Sequence, residues 1–103
     1  MIELFLRQRL ALLRADKGLS ARELSLRLGQ SEGYINAIET GKSNPSLSML
    51  YYICQELGVS LSEFFDEGNK HPIFVSEIVE EAKRLDRQSL ESILSVMKNM
   101  EKR

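Results

Sequence analysis

Leucines recur at helical spacing near the start of the chain. Leu6, Leu10 and Leu13 share one face, and Gly18 follows where such a helix would stop. Ser20-Ala21-Arg22-Glu23 reads as a capping box, in which serine and glutamate each satisfy a free backbone amide. It opens a short second helix, Ser20–Leu28, that turns Leu24 and Leu28 inward. Gly29 ends that helix at a position suited to positive φ. Ser31 is placed to cap a third helix reaching Thr40, with Ile35 and Ile38 inward and Gly41 as its stop. Asn44-Pro45 predicts the start of a fourth, carrying Leu47, Leu50, Ile53, Cys54 and Leu57 on one face and closed by Gly58. Ser60-Leu61-Ser62-Glu63 repeats the capping-box pattern before Phe64 and Phe65.

No stretch of four or more residues alternates well enough to predict a strand. Asp66–Pro72 is polar and turn-rich, which predicts a linker at residues 67–72. Two further helices are expected beyond it, about Ile73–Leu85 and Arg87–Glu101, with Asp86 as the cap between them. The last carries a clean apolar stripe of Leu90, Ile93, Leu94, Met97 and Met100. The predicted fold is therefore all-α: a five-helix domain over residues 1–66 and a two-helix extension over residues 73–103.

Composition narrows the function without choosing it. The chain has 103 residues, 43% of them hydrophobic and 28% charged, as expected of a globular protein with one modest core. The longest apolar runs, such as Leu10–Leu13, are too short to span a bilayer, so no membrane role is expected. The N-terminal residues show no basic stretch followed by a long apolar one, so no secretory signal is expected. The lone cysteine, Cys54, cannot form an internal disulfide and suits a reducing cytoplasm.

Net charge is −1, which does not announce a nucleic-acid binder. Its distribution says more. Residues 1–42 hold seven Lys/Arg against five acids, whereas residues 43–66 hold three acids and no Lys or Arg. A basic half beside an acidic one allows a single DNA-facing side.

Two short helices joined by a glycine turn, Ser20–Leu28 and Ser31–Thr40, are the central unit. Leu24, Leu28, Ile35 and Ile38 would lock them at a steep angle, so that the second can enter a major groove. The fuller string is more specific. Leu13-Arg14, Gly18-Leu19-Ser20, Glu23-Leu24, Gly29, Ser31, Tyr34-Ile35, Ile38-Glu39, Gly41-Lys42, Asn44-Pro45-Ser46-Leu47 and Leu57-Gly58-Val59 together resemble the Cro/repressor-type (Xre-like) helix-turn-helix family, over about residues 4–66. That resemblance implies a homodimer that binds double-stranded DNA and regulates transcription, as a repressor at an inverted-repeat operator. Carried over residue by residue, base edges would be met from Glu32, Gly33, Tyr34, Asn36 and Ala37. Asn36 can pair with adenine, Glu32 can accept from cytosine N4, and Ala37 can touch a thymine methyl.

The resemblance also assigns phosphate contacts to Ser20, Ala21 and Arg22 at the start of the second helix, and to Ser31. A second phosphate clamp would be Thr40, Gly41, Lys42 and Asn44. Arg14 and Glu39 match a family pair that forms a partly buried ion bridge. Two positions depart from the pattern. The family's common glutamine is Ala21 here, which shifts attention to Arg22 as its substitute, and its usual small alanine is Ser25, whose hydroxyl needs a partner such as its own helix backbone. Glu32 would also repel phosphate.

Enzymatic readings find little support. The chain has no Cys/His/Asp nucleophile set, no phosphate-cradling glycine loop and no metal-ligand cluster, so no catalytic residue, cofactor or metal is expected. His71 is expected as a linker histidine and Cys54 as a small core residue. The competing reading is an antitoxin or adaptor that uses the same fold mainly to bind a protein partner. The stripe Leu90, Ile93, Leu94, Met97 and Met100 is expected either to form a dimer seam or to dock on the parent domain near Phe5 and Leu12.

Overall fold

The computed structural model describes residues 2–101, so Met1, Lys102 and Arg103, the outermost residues of the two expected segments, lie outside it. The described residues form seven helices and no strand: α1 (Ile2–Lys17), α2 (Ala21–Arg27), α3 (Tyr34–Glu39), α4 (Leu47–Leu57), α5 (Leu61–Phe64), α6 (Pro72–Ala82) and α7 (Arg87–Glu101). The all-α reading is thereby met. The chain divides into two compact units, the first running to Ile73 and the second beginning at Phe74.

In the first unit, one apolar residue or more from each helix meets in a single core. Leu10 and Leu13 of α1, Leu24 of α2, Ile35 and Ile38 of α3, Ile53 and Leu57 of α4 and Phe64 of α5 are all fully buried. Cys54 lies among them, and burial pushes its thiol up to about 11. Both capping boxes form: Ser20 and Ser60 accept from the amides of Glu23 and Glu63, while those glutamates accept from the serine amides.

Three details of the sequence reading need correction. Ser31 does not cap the third helix, because Ser31–Gly33 is taken up by a turn closed by the Tyr34 amide on the Ser31 carbonyl at 3.1 Å. α3 starts at Tyr34, behind Gly33, which offers no side-chain cap. The fourth helix begins at Leu47 and not at Pro45, because Ser46 is the residue whose hydroxyl accepts from the Met49 amide. Leu47 is accordingly in the first turn and 75% exposed, and the inward face of α4 starts at Leu50.

The stretch expected as a linker is tied to the first unit. Arg9 of α1, only 4% exposed, donates from Nε to the Phe64 carbonyl at 2.6 Å and from Nη2 to the Glu63 and Asp66 carbonyls at 2.7 and 3.0 Å. A cation on the last carbonyls of α5 satisfies acceptors that the helix leaves open and opposes its dipole. Farther along, His71 Nδ1 lies 2.7 Å from Asp16 Oδ2, and Pro72 and Ile73 are buried.

The second unit is a helical hairpin of the remainder of α6 with α7. Asp86 Oδ1 accepts from the Ser89 amide at 2.8 Å and caps α7 as expected; α6 ends at Ala82, three residues short of the expected Leu85. The Ser89 hydrogen bonds hold the Asp86 carboxyl below its ordinary range. Between the helices lies an apolar cleft of about 390 Å³ floored by Phe74, Ile78, Leu85 and Ile93. No helix among the described residues is long and apolar enough to cross a membrane.

Candidate nucleic-acid interface

α3 has six residues, fewer than two turns. An isolated helix of that length is unstable in water, so its position must come from its neighbours. Ile35 and Ile38 fix its inner face. At its N-terminal end the Ser25 hydroxyl, fully buried in α2, donates to the Ala21 carbonyl at 2.7 Å and accepts from the Ile35 amide at 3.0 Å. One hydroxyl thus caps α3 from the neighbouring helix. The sequence supplied the hydroxyl's need for a partner, but not this second bond, which exists only once the two helices are packed.

The other end is gripped from α1. Arg14 Nε and Nη2 hold Glu39 Oε2 and Oε1 at 2.7 and 2.9 Å, while Nη1 donates to the Leu19 carbonyl at 2.8 Å. The two side chains are 21% and 12% exposed, and the bond to Glu39 pushes the Arg14 guanidinium above its ordinary value. Beside this pair, Arg7 Nε reaches the Glu39 carbonyl at 3.4 Å. Gly41 has φ +81°, a backbone conformation that favours glycine, and its Cα faces the Arg7 guanidinium closely enough that a Cβ would make that flexible side chain shift.

With Ile35 and Ile38 inward, α3 turns Asn36 to solvent, and Glu32 and Gly33 of the preceding turn are exposed with it. Tyr34 and Ala37 are half-buried at the flanks. Tyr34 packs on the core, and this burial raises its phenol above the ordinary range. Of the five base-contact candidates, three therefore stand clear and two expose only an edge.

The phosphate candidates divide further. Ser20 is occupied by its capping box, and Ala21 packs its methyl against the core, which leaves the Ala21 and Arg22 amides as first-turn donors outside that box. Ser31 is exposed, and its carbonyl closes the turn before α3. After α3, the Thr40 hydroxyl donates to the Asn36 carbonyl at 2.8 Å, the Gly41 amide to Ile38, and the Lys42 amide to Ala37. These donors serve the end of α3. The exposed ammonium of Lys42 and the side chain of Asn44 are what this turn offers to an anion. Arg22 Nε lies 3.1 Å from Glu32 Oε2 on the exposed side, a pairing that sequence reasoning did not connect because ten residues separate the two. Arg9 and Arg7 were likewise read only as positive charges, and nothing in their spacing marks the carbonyls they meet.

A comparison with protein-family models matches residues 10–64 to the helix-turn-helix family, over the five helices that build this arrangement. The chain belongs to the Xre/Cro-like helix-turn-helix family. Its relatives agree. The helix-turn-helix domain is 39% identical over 62 residues to the uncharacterized HTH-type transcriptional regulator y4dJ of Sinorhizobium fredii, covering 60% of this chain and 80% of that protein. It is 38% identical over 63 residues to the HTH-type transcriptional regulator PuuR of Escherichia coli, covering 61% of this chain but 34% of PuuR. Two solved structures of the clp gene regulator ClgR from Corynebacterium glutamicum share the fold, both with TM-score 0.61. One is 30% identical and covers 70% of this chain and 92% of its own; the other is 27% identical and covers 87% and 96%. Membership in this helix-turn-helix family makes the protein a DNA-binding transcription regulator.

The grip on α3 yields a stability prediction. Truncating Glu39 to alanine leaves the Arg14 guanidinium half-enclosed without its anion. The loss lies between that of an exposed pair, about 0–1 kcal/mol, and a buried one, about 3–5 kcal/mol, and at this exposure we expect roughly 2–3 kcal/mol. Urea unfolding of Glu39→Ala measures it, and a loss below about 0.5 kcal/mol would contradict the structural role given to the pair.

Proposed function

We propose that the protein is a sequence-specific repressor that binds an inverted-repeat operator as a homodimer, with α3 in the major groove. The observation that carries this reading is the outward position of Asn36 on α3, with Glu32 and Gly33 exposed in the turn before it, on a helix whose other faces are fixed by Ile35, Ile38, Ser25 and Arg14. A rigid helix with a polar, solvent-facing edge suits reading base edges, because bidentate pairing requires donor and acceptor to be placed in advance. In this reading Asn36 pairs with adenine, Ala37 offers its methyl edge to thymine, and Lys42 with Asn44 holds a phosphate. The amides of Ala21 and Arg22 face the backbone on the other side of the groove. The names of y4dJ, PuuR and ClgR as regulators support the same class of function.

Dimerisation is assigned to the C-terminal hairpin. Leu90, Ile93, Leu94, Met97 and Met100 are 38–62% exposed, and Phe74, Val75, Ile78 and Val79 of α6 add a second exposed apolar row. So large an apolar surface on a small unit marks an association site. Burial at about 25 cal/mol per Å² makes a second copy of the same stripe a favourable cover. A two-fold seam there would join two reading helices in one molecule, as an operator with half-sites one DNA turn, about 34 Å, apart requires.

Two measurements test this reading. Selection of duplexes from a random pool should return a palindromic consensus. Asn36→Ala should relax one base pair in each half-site at a cost of about 1–3 kcal/mol, while Lys42→Ala should weaken all sequences alike and lower the salt slope by about one unit. An unselected pool, with binding only to a protein partner, would favour the adaptor reading. For the seam, the full chain carrying Leu94→Glu and Met97→Glu should sediment as a monomer with its helix content unchanged; a persistent dimer would place the interface elsewhere.

A further inference from the structure

This inference rests on the DNA-binding reading and concerns which residues choose the base. Glu32 stands in the turn that leads into α3, on its exposed side, and a lone carboxylate there repels the phosphates that the same surface must approach. The structure gives it a partner: Arg22 of α2 meets it at 3.1 Å, with the two side chains 67% and 71% exposed. The segment around the pair carries no net charge of its own. From Ser20 to Asn44 the three cations Arg22, Arg27 and Lys42 are matched by the three carboxylates Glu23, Glu32 and Glu39. Glu39 is taken by Arg14, and Glu23 is held at Ser20 in the capping box. Arg22 and Glu32 are therefore a cation and an anion set side by side at the start of the reading helix.

We propose that Arg22 and Glu32 act as one specificity element. Glu32 accepts a hydrogen bond from the exocyclic amine of a cytosine in the major groove, and Arg22 is its positioning residue, holding the carboxylate in place and shielding it from phosphate. The chemistry is selective because an ionised carboxylate only accepts. Guanine O6 and N7 and thymine O4 are acceptors and repel it, and adenine sets its N7 acceptor beside its amine, whereas cytosine presents the amine alone. The exposure of the pair suits this role. Arg22 engages Oε2 of the exposed carboxylate, so Oε1 can accept from a base without breaking that bond. On a wrong sequence the carboxylate finds no donor and its charge opposes binding, so the element acts mainly by rejecting other sites.

Selection from a random duplex pool with the wild type, Glu32→Gln, Arg22→Gln, Arg22→Lys and the Glu32→Gln/Arg22→Gln double variant tests the proposal. Titration of a selected and a scrambled duplex accompanies it. The wild type should require cytosine at one position of each half-site, by roughly ten- to a hundredfold over other bases. Glu32→Gln should lose that requirement and bind the scrambled duplex several-fold more tightly. Arg22→Gln should relax the same position, Arg22→Lys should restore it in part, and the double variant should be no less selective than Glu32→Gln alone. Unchanged melting curves should accompany all four, since both side chains are exposed. A consensus that Glu32→Gln leaves intact overturns the proposal. So does an Arg22→Gln protein that weakens every sequence equally while the cytosine requirement persists. A wild type that selects no consensus overturns the DNA-reading function itself, so the two failures are distinguishable.

Discussion

A six-residue helix cannot hold itself in water, and the rest of this molecule follows from the need to hold one. The cost of nucleating a helix is spread over too few hydrogen bonds in α3, so its ends must be closed by other elements. Ser25 closes the first turn from α2, and Arg14 and Arg7 close the last from α1. Ile35 and Ile38 anchor the middle in the core. Every polar bond that steadies α3 comes from behind or from its ends, and this leaves the outward side chain of Asn36 unused by the fold and that of Glu32 engaged by the exposed Arg22. Rigidity and availability thus have one cause.

The same economy appears in the backbone donors. The turn after α3 spends its amides and the Thr40 hydroxyl on the open carbonyls of that helix. Affinity for a polyanion must then rest on the first-turn amides of α2 and a few side-chain cations, chiefly Lys42 and Arg22, and one of these already faces a carboxylate. A nearly neutral reading unit has a weak sequence-independent attraction to DNA. Discrimination therefore has to come from base edges and from joining two units on one axis.

Much of this was legible in the chain. Glycines at the helix stops, two Ser-x-x-Glu boxes and the spacing of Leu10, Leu13, Leu24, Ile35 and Ile38 announced the helices because those signals are local. What escaped was set by neighbours in space. Ser31 looked like a cap, but a turn pre-empted it, and the true cap sits six residues earlier on another helix. Pro45 looked like a helix start, but Ser46 had the hydroxyl within reach of the open amide, which moved Leu47 to the surface. Arg9 stood among leucines as an ordinary charge, and the carbonyls it binds are more than fifty residues away. The polar run after Phe65 read as a tether because composition does not register that guanidinium, nor the burial of Ile73. Among site residues, the outward position of Asn36 followed from periodicity. The contact between Arg22 and Glu32 did not, since it depends on the angle between α2 and α3.

Which surface meets DNA is the central question for this protein. Chemical-shift mapping of the isotope-labelled full chain, titrated with a duplex chosen from a random pool, asks this directly. The DNA-reading role of α3 predicts that the strongest changes fall on the amides of residues 20–22 and 31–37, and on Lys42 and Asn44, with the core of α4 and α5 nearly still. Changes centred on α4, α5 or the hairpin, with Asn36 and its neighbours unmoved, would contradict it.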